Sequence, residues 1–152
     1  MTTLFKKLNF KDHDPIAILQ SPDSFISERK AMQAFARIDA AWKEGVSYPF
    51  VLVFVETQAA LTAFAAQLPG KLAEDAILWV AYPKRSSKKY RSDIGRDEGW
   101  QPLGDLGYEG VRMVAIDADW SALRLRDARY IKTMKRDPKR SMSNEGRKRT
   151  NE

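Results

Sequence analysis

Two runs of this chain are apolar on both of their alternating faces: Pro-Phe-Val-Leu-Val-Phe-Val at 49–55 and Ala-Ile-Leu-Trp-Val-Ala-Tyr at 76–82. A strand with one wet face alternates apolar and polar residues, so a strand without that alternation has to be covered on both sides. Between the runs, Thr57 opens a helical stretch whose Leu61, Phe64, Ala65 and Leu68 fall on one stripe, and Pro69-Gly70 stops it. Two doubly apolar strands joined through an amphipathic helix make a right-handed crossover between parallel neighbours. That unit predicts a layered α/β domain with a largely parallel sheet flanked by helices.

The rest of the chain fits around it. Pro-Ile-Ala-Ile-Leu (15–19) reads as a further buried strand. Ser21 is placed to cap a helix, with Pro22 at its first position and Asp23 in its first turn. The stretch 27–44 has two readings. Ala31, Ala34, Phe35, Ile38, Ala41 and Trp42 share a helical face, but 34–39 also alternates like an edge strand. A short helical segment is expected within 93–107, interrupted near Pro102, with Leu103 and Leu106 as its buried contacts. Residues 111–117 and 120–126 read as a C-terminal antiparallel hairpin, Leu123 and Leu125 facing one side and Arg124 and Arg126 the other. The domain is expected to span 1–130. Residues 131–152 hold too few apolar groups to fold alone and read as a basic, flexible tail.

Composition narrows the function classes. There is no cysteine and one histidine, His13, so thiolate metal sites, disulfides and cysteine nucleophiles are out, and a reducing cytoplasm is the expected location. No run approaches the ~18 apolar residues of a membrane span. The net charge of +6 is unevenly placed. Residues 127–152 hold nine Lys/Arg against four Asp/Glu, residues 83–100 hold six against three, and the rest hold eleven against thirteen. A near-neutral body with its excess charge in one loop and one tail points to an anionic polymer as partner, nucleic acid first. The plainer reading is solvated surface.

In open α/β sheets, ligands bind beyond the carboxyl ends of the strands. Three loops leave such ends here: Gln20, Ser21, Pro22, Asp23 and Ser24 after the first strand, Glu56 and Thr57 after the central one, and the cationic run after Tyr82. Two of them open helices, whose free N–H groups favour anions. The familiar catalytic signatures fail. There is no P-loop, and Gly104, Gly107 and Gly110 recur every third residue rather than as G-x-G-x-x-G. Ser86-Ser87-Lys88-Lys89 fits S-x-x-K, but its companion motifs break at Ile94 and Met134. Asp117 and Asp119 are explained by turn chemistry, and Asp97 and Glu98 by a helix start. Trp120, Arg124 and Arg126 alternate onto one strand face, as a cation–aromatic surface for single-stranded nucleic acid would, or as cover for the sheet edge.

Taken together, the segments 77–90, 96–126 and 131–150 resemble an uncharacterised family of small bacterial α/β proteins. The resemblance implies a bacterial cytoplasmic α/β domain with no established activity, and it favours a strand near 34–39. The family pattern reads Pro-Lys-Gly-Thr-Ser-Lys at the loop. Pro83, Lys84, Ser87 and Lys88 match it, while Arg85 and Ser86 depart, removing the glycine of a tight phosphate cradle. The reading that results is a binding module for an anionic partner. Its site comprises Lys84, Arg85, Ser86, Ser87, Lys88, Lys89, Tyr90 and Arg91, with Arg147, Lys148 and Arg149 of the tail. The alternative is a small-molecule or nucleotide site at the strand ends, built from Ser21, Asp23, Ser24, Glu56, Thr57, Lys84 and Ser87. Neither reading assigns a catalytic residue, a cofactor or a metal.

Overall fold

The computed structural model describes residues 1–131. In chain order the elements are α1 (Thr3–Lys7), β1 (Ile16–Leu19), α2 (Ile26–Met32), β2 (Ile38–Asp39), β3 (Tyr48–Phe54), α3 (Gln58–Gln67), β4 (Leu72–Pro83), α4 (Gln101–Gly104), β5 (Tyr108–Ala115) and β6 (Trp120–Asp127). They build a six-stranded sheet in the order β2-β1-β3-β4-β6-β5. The first four strands in that order are parallel, β6 runs antiparallel against β4, and β5 pairs antiparallel with β6 at the edge.

The crossover predicted from the two doubly apolar runs is present. Phe50 pairs with Ile77 and Phe54 with Ala81 in parallel register, with α3 between them in sequence. Thr57 is extended, and its Oγ1 accepts from the Ala60 N–H at 3.1 Å, so the helix starts where its cap requires. The double apolarity of these strands divides into two cores. Val51, Val53, Leu78 and Val80 pack with Leu61, Phe64 and Leu68 of α3 on one face. Phe50, Leu52, Phe54, Trp79 and Ala81 pack with Phe5, Leu8, Phe10, Phe25 and Met32 on the other.

Both readings of 27–44 hold in part, since α2 ends at Met32 and a two-residue edge strand follows at Ile38–Asp39. Ser21 is not a cap. A 3-10 turn at Asp23–Phe25 precedes α2, and the Ser21 hydroxyl instead accepts from Arg29 Nη1 at 3.3 Å. Pro102 starts α4 rather than interrupting it, as a residue whose missing N–H costs nothing in a first turn. Leu103 is buried, but Leu106 is exposed. None of the described helices is long and apolar enough to cross a membrane.

Candidate functional site

The strand order sets the place. From β1 the chain moves outward to β2, then crosses back over β1 to β3. The winding therefore reverses between β1 and β3, and their carboxyl ends diverge into a crevice. A cavity of about 410 Å³ lies there. Leu19, Gln20 and Pro22 come to it from the end of β1, Val53 to Thr57 from the end of β3, Ala60 and Phe64 from α3, and Trp120 from the start of β6. Of the sequence-derived strand-end residues, Gln20, Pro22, Glu56 and Thr57 line it, whereas Ser21, Asp23, Ser24, Lys84 and Ser87 do not.

Two features of this wall are unusual for a settled interior. Gln20 adopts φ 59, a left-handed conformation that few residues other than Gly, Asn and Asp enter readily. Trp120 is 2% exposed, yet its indole N–H has no hydrogen-bond acceptor. The other three tryptophans all donate: Trp42 to Gln67 Oε1 at 3.2 Å, Trp79 to the Leu8 carbonyl at 2.8 Å and Trp100 to the Gly95 carbonyl at 2.9 Å. Glu56 is the one charged residue on the cavity wall among the described residues, and it is exposed.

The cationic loop after β4 is folded down beside this cavity. Ser87 Oγ donates to Asp119 Oδ1 at 2.8 Å and accepts from the Lys89 and Tyr90 N–H groups. Lys84 N–H donates to the Asp119 carbonyl. The Tyr90 ring packs on Trp120 at 4.9 Å, and Trp120 stands edge-on to Phe54 at 5.1 Å. Ser87 and Tyr90 are thus anchors. Arg85, Ser86, Lys88, Lys89 and Arg91 are exposed and Lys84 is half-buried. Arg85 lies 3.7 Å from Glu98, with both side chains in solvent. Among the described residues, Lys84, Lys88, Lys89 and Arg91 have no carboxylate within salt-bridge reach. Arg147, Lys148 and Arg149 lie outside the described residues.

Two N–H groups of the α3 N-terminus are held from within. Asp93 Oδ1 accepts from the Gln58 N–H at 2.7 Å, and Thr57 takes the Ala60 N–H. Asp117 is a turn residue whose Oδ1 accepts from the N–H groups of Asp119 and Trp120. Trp120 shares its sheet face with Arg124 and Arg126, as alternation requires, but it is buried under Phe54 and Tyr90 and presents no open stacking surface. Its role at the cavity was hidden in the sequence, because it follows from the pairing of Trp120 with Pro83 across β6 and β4.

The chain matches no family model and no curated protein. Solved structures share its fold. A protein of the NADB-Rossmann superfamily from Streptococcus agalactiae aligns at TM-score 0.51 and 10% identity over 84% of this chain and 68% of that one. A SAM-dependent methyltransferase from Aquifex aeolicus gives 0.51 and 11% over 82% and 87%. The N-methyltransferase NodS from Bradyrhizobium japonicum WM9 gives 0.52 and 12% over 82% and 93%. The fold is therefore a Rossmann-like α/β sheet with an antiparallel hairpin.

Rossmann-like folds that bind a nucleoside-bearing cofactor hold it at the β1 end, and the residues here do not fit one. Close approach of backbone to that ligand relies on glycine after the first strand. The first glycine of this chain is Gly45, and a glutamine holds the left-handed position. A carboxylate about 20 residues on should be free for ribose hydroxyls. Asp39 has that spacing, but it is in register with Ala17, short of the carboxyl end of β1, and is engaged by Tyr48 Oη at 2.6 Å and by Arg37 at 3.1 and 3.2 Å. At α3, two of the N–H groups that favour an anion, those of Gln58 and Ala60, are held by Asp93 and Thr57.

Proposed function

We propose that this protein is a small-molecule-binding domain whose ligand occupies the cavity between the carboxyl ends of β1 and β3. The observation that carries the reading is the unpartnered, buried indole N–H of Trp120, a residue that lines that cavity. A buried donor left without an acceptor costs about 1–3 kcal/mol, which a ligand acceptor would offset. The wall joins apolar Leu19, Val53, Phe54 and Phe64 to the polar Gln20, Glu56, Thr57 and Gln67. The ligand that suits it has a flat apolar body, an acceptor for the indole and no phosphate, since the charged wall group is a carboxylate. The methyltransferase neighbours support a ligand at this end of the sheet. They do not support their methyl donor, whose cradle is missing.

Two-dimensional ¹H–¹⁵N spectra test the reading, with Trp120→Phe assigning the fourth indole peak. In a screen of uncharged and cationic heterocycles, binders should move the Trp120 indole peak and leave those of Trp79 and Trp100 in place. Ala60→Phe, on the exposed side of α3 at the cavity, should weaken those binders about tenfold or more by filling their space. Binders that ignore both substitutions would place the ligand elsewhere.

A second reading rests on a different observation. The loop after β4 is held by Ser87 and Tyr90, yet it presents Lys84, Arg85, Lys88, Lys89 and Arg91 largely without carboxylate partners. A pre-ordered cationic loop suits a polyanion, and with Arg147, Lys148 and Arg149 it would contact nucleic acid through phosphates. Fluorescence anisotropy over a salt series should give a log–log slope of several units for duplex DNA. Lys88→Gln should lower that slope by up to about 1. A flat salt dependence would leave the loop as solvated surface.

A further inference from the structure

We propose that Arg112 and Arg124 form a second site, for a phosphate group, on the sheet face covered by α1. It is independent of the strand-end cavity. Arg124 lies four residues along β6 from Trp120, about 13 Å at the rise of a strand. Arg112 and Arg124 are direct partners across the antiparallel pair β5–β6. Like charges opposite one another on a sheet face repel, and a scaffold gains nothing from that placement.

The neighbours do not resolve the repulsion. Arg126, two residues on, is held by Asp75 through two hydrogen bonds at 2.9 and 2.7 Å. Glu109 is in register with Arg126, not with Arg124. Arg112 Nη1 donates to the neutral Asn9 Oδ1 at 3.0 Å. Arg124 is half-buried beside Trp79 of β4, and its Nε–H is buried without an acceptor. Among the described residues neither Arg112 nor Arg124 has a carboxylate within 4.0 Å. Burial first, then Arg126, lowers the pKa of Arg124, with Asp75 opposing and Arg112 adding to the fall. The imidazole of His13 feels the Arg124 charge as well, although burial is the main cause of its lowered pKa.

Two guanidinium groups at paired positions on one sheet face offer planar forks of N–H donors, which suit a tetrahedral oxyanion in charge-assisted pairs. A phosphate between them would neutralise the repulsion. In the free protein the same two residues cost stability, as binding residues do when their ligand is away.

The test uses the full chain. Thermal unfolding is followed in potassium phosphate and in potassium chloride of equal ionic strength, and ³¹P line widths give the Kd for inorganic phosphate. The wild type should gain Tm saturably in phosphate. Arg124→Met should match or exceed the wild-type Tm in chloride while its phosphate Kd rises about tenfold or more, the loss expected for a charge-assisted contact. Arg112→Gln, at an exposed position, should lose phosphate binding alike and serves if Arg124→Met fails to fold. A phosphate Kd that rises when Lys88 and Lys89 are replaced with Gln, and not in the arginine variants, would place the phosphate on the loop after β4 and overturn the proposal. A short oligothymidylate then separates the sources. Affinity that falls with both arginine variants assigns a phosphodiester, and affinity that does not assigns a small phosphorylated molecule. An unchanged phosphate Kd in both arginine variants, or no saturable gain in the wild type, overturns the proposal.

Discussion

Toward the amino end of the parallel strands, Asp39 is 2% exposed and its two oxygens are shared among Tyr48, Arg37 and Lys43. At the carboxyl end, Trp120 is equally buried and its one donor has no acceptor, beside a Gln20 held at φ 59. The same sheet thus finishes one end as a closed polar network and leaves the other with an orphan donor and a strained residue. Consistency across levels is the mark of scaffold, and local departures from it mark sites. Substitutions at the two ends should therefore separate stability from binding.

The largest effect belongs to the closed end. Asp39→Ala removes the acceptor of the buried Tyr48 hydroxyl, and should cost about 2–3 kcal/mol in urea unfolding. The loss stays below that of a wholly buried ion pair because Arg37 and Lys43 are 52% and 60% exposed and return to water. Glu56→Ala, an exposed carboxylate at the other end, should stay within about 0.5 kcal/mol. Equal losses would erase the distinction. Acid titration sharpens it. Burial raises the pKa of Asp39, but the hydrogen bonds from Tyr48 and Arg37 outweigh burial and hold the carboxyl below its ordinary range. A depressed folded pKa gives stability that is present above the unfolded value, near 3.9, and is lost as pH falls through the folded one. Wild-type stability should fall more steeply below pH ~4 than that of Asp39→Ala.

Next come the tryptophans. Trp79→Phe and Trp120→Phe remove the same volume from the same side of the sheet, so their cavity costs are comparable. Only Trp79→Phe also strands a partner, the Leu8 carbonyl. Trp79→Phe should therefore be worse by about 1–2 kcal/mol. Equal destabilisation would mean that the Trp120 N–H is satisfied in solution, and the cavity reading would lose its support. Ser87→Ala comes below this. It breaks the contact to Asp119 and frees the Lys89 and Tyr90 amides, at about 1 kcal/mol, with faster hydrogen exchange at those two amides.

The parallel half of the fold was readable because burial on both faces writes itself into an unbroken apolar run, as in Phe50–Phe54 and Ile77–Ala81. The β5–β6 hairpin was readable from alternation at Leu123 and Leu125. The two-residue strand β2 was not separable from a helix, since so short a run carries no period of its own. At the candidate site the sequence located the right end of the sheet and four wall residues, Gln20, Pro22, Glu56 and Thr57. It missed Trp120 and the role of Gln20. The first depends on which strand pairs with β4, and the second on a backbone angle, and neither is written in local composition. The occupation of Ser87 by Asp119 and of the α3 N-terminus by Asp93 was equally hidden, since these contacts span 32 and 35 residues.

The smallest effect has the opposite sign. Gln20 closes β1 at φ 59, where a side chain other than Asn or Asp costs about 1 kcal/mol. Asn9 holds φ 65 near the other end, but asparagine tolerates that region. Gln20→Gly relieves the strain and adds freedom to the unfolded chain, so the net gain should be at most about 1 kcal/mol. Gln20 is exposed and no other contact of its side chain offsets that gain. If its amide also meets the ligand, heterocycles that move the Trp120 indole peak should bind the glycine variant more weakly even as its Tm rises. A variant that is less stable than wild type would show that the left-handed glutamine belongs to the scaffold, and the two ends of the sheet would then differ in one group, the Trp120 N–H, rather than two.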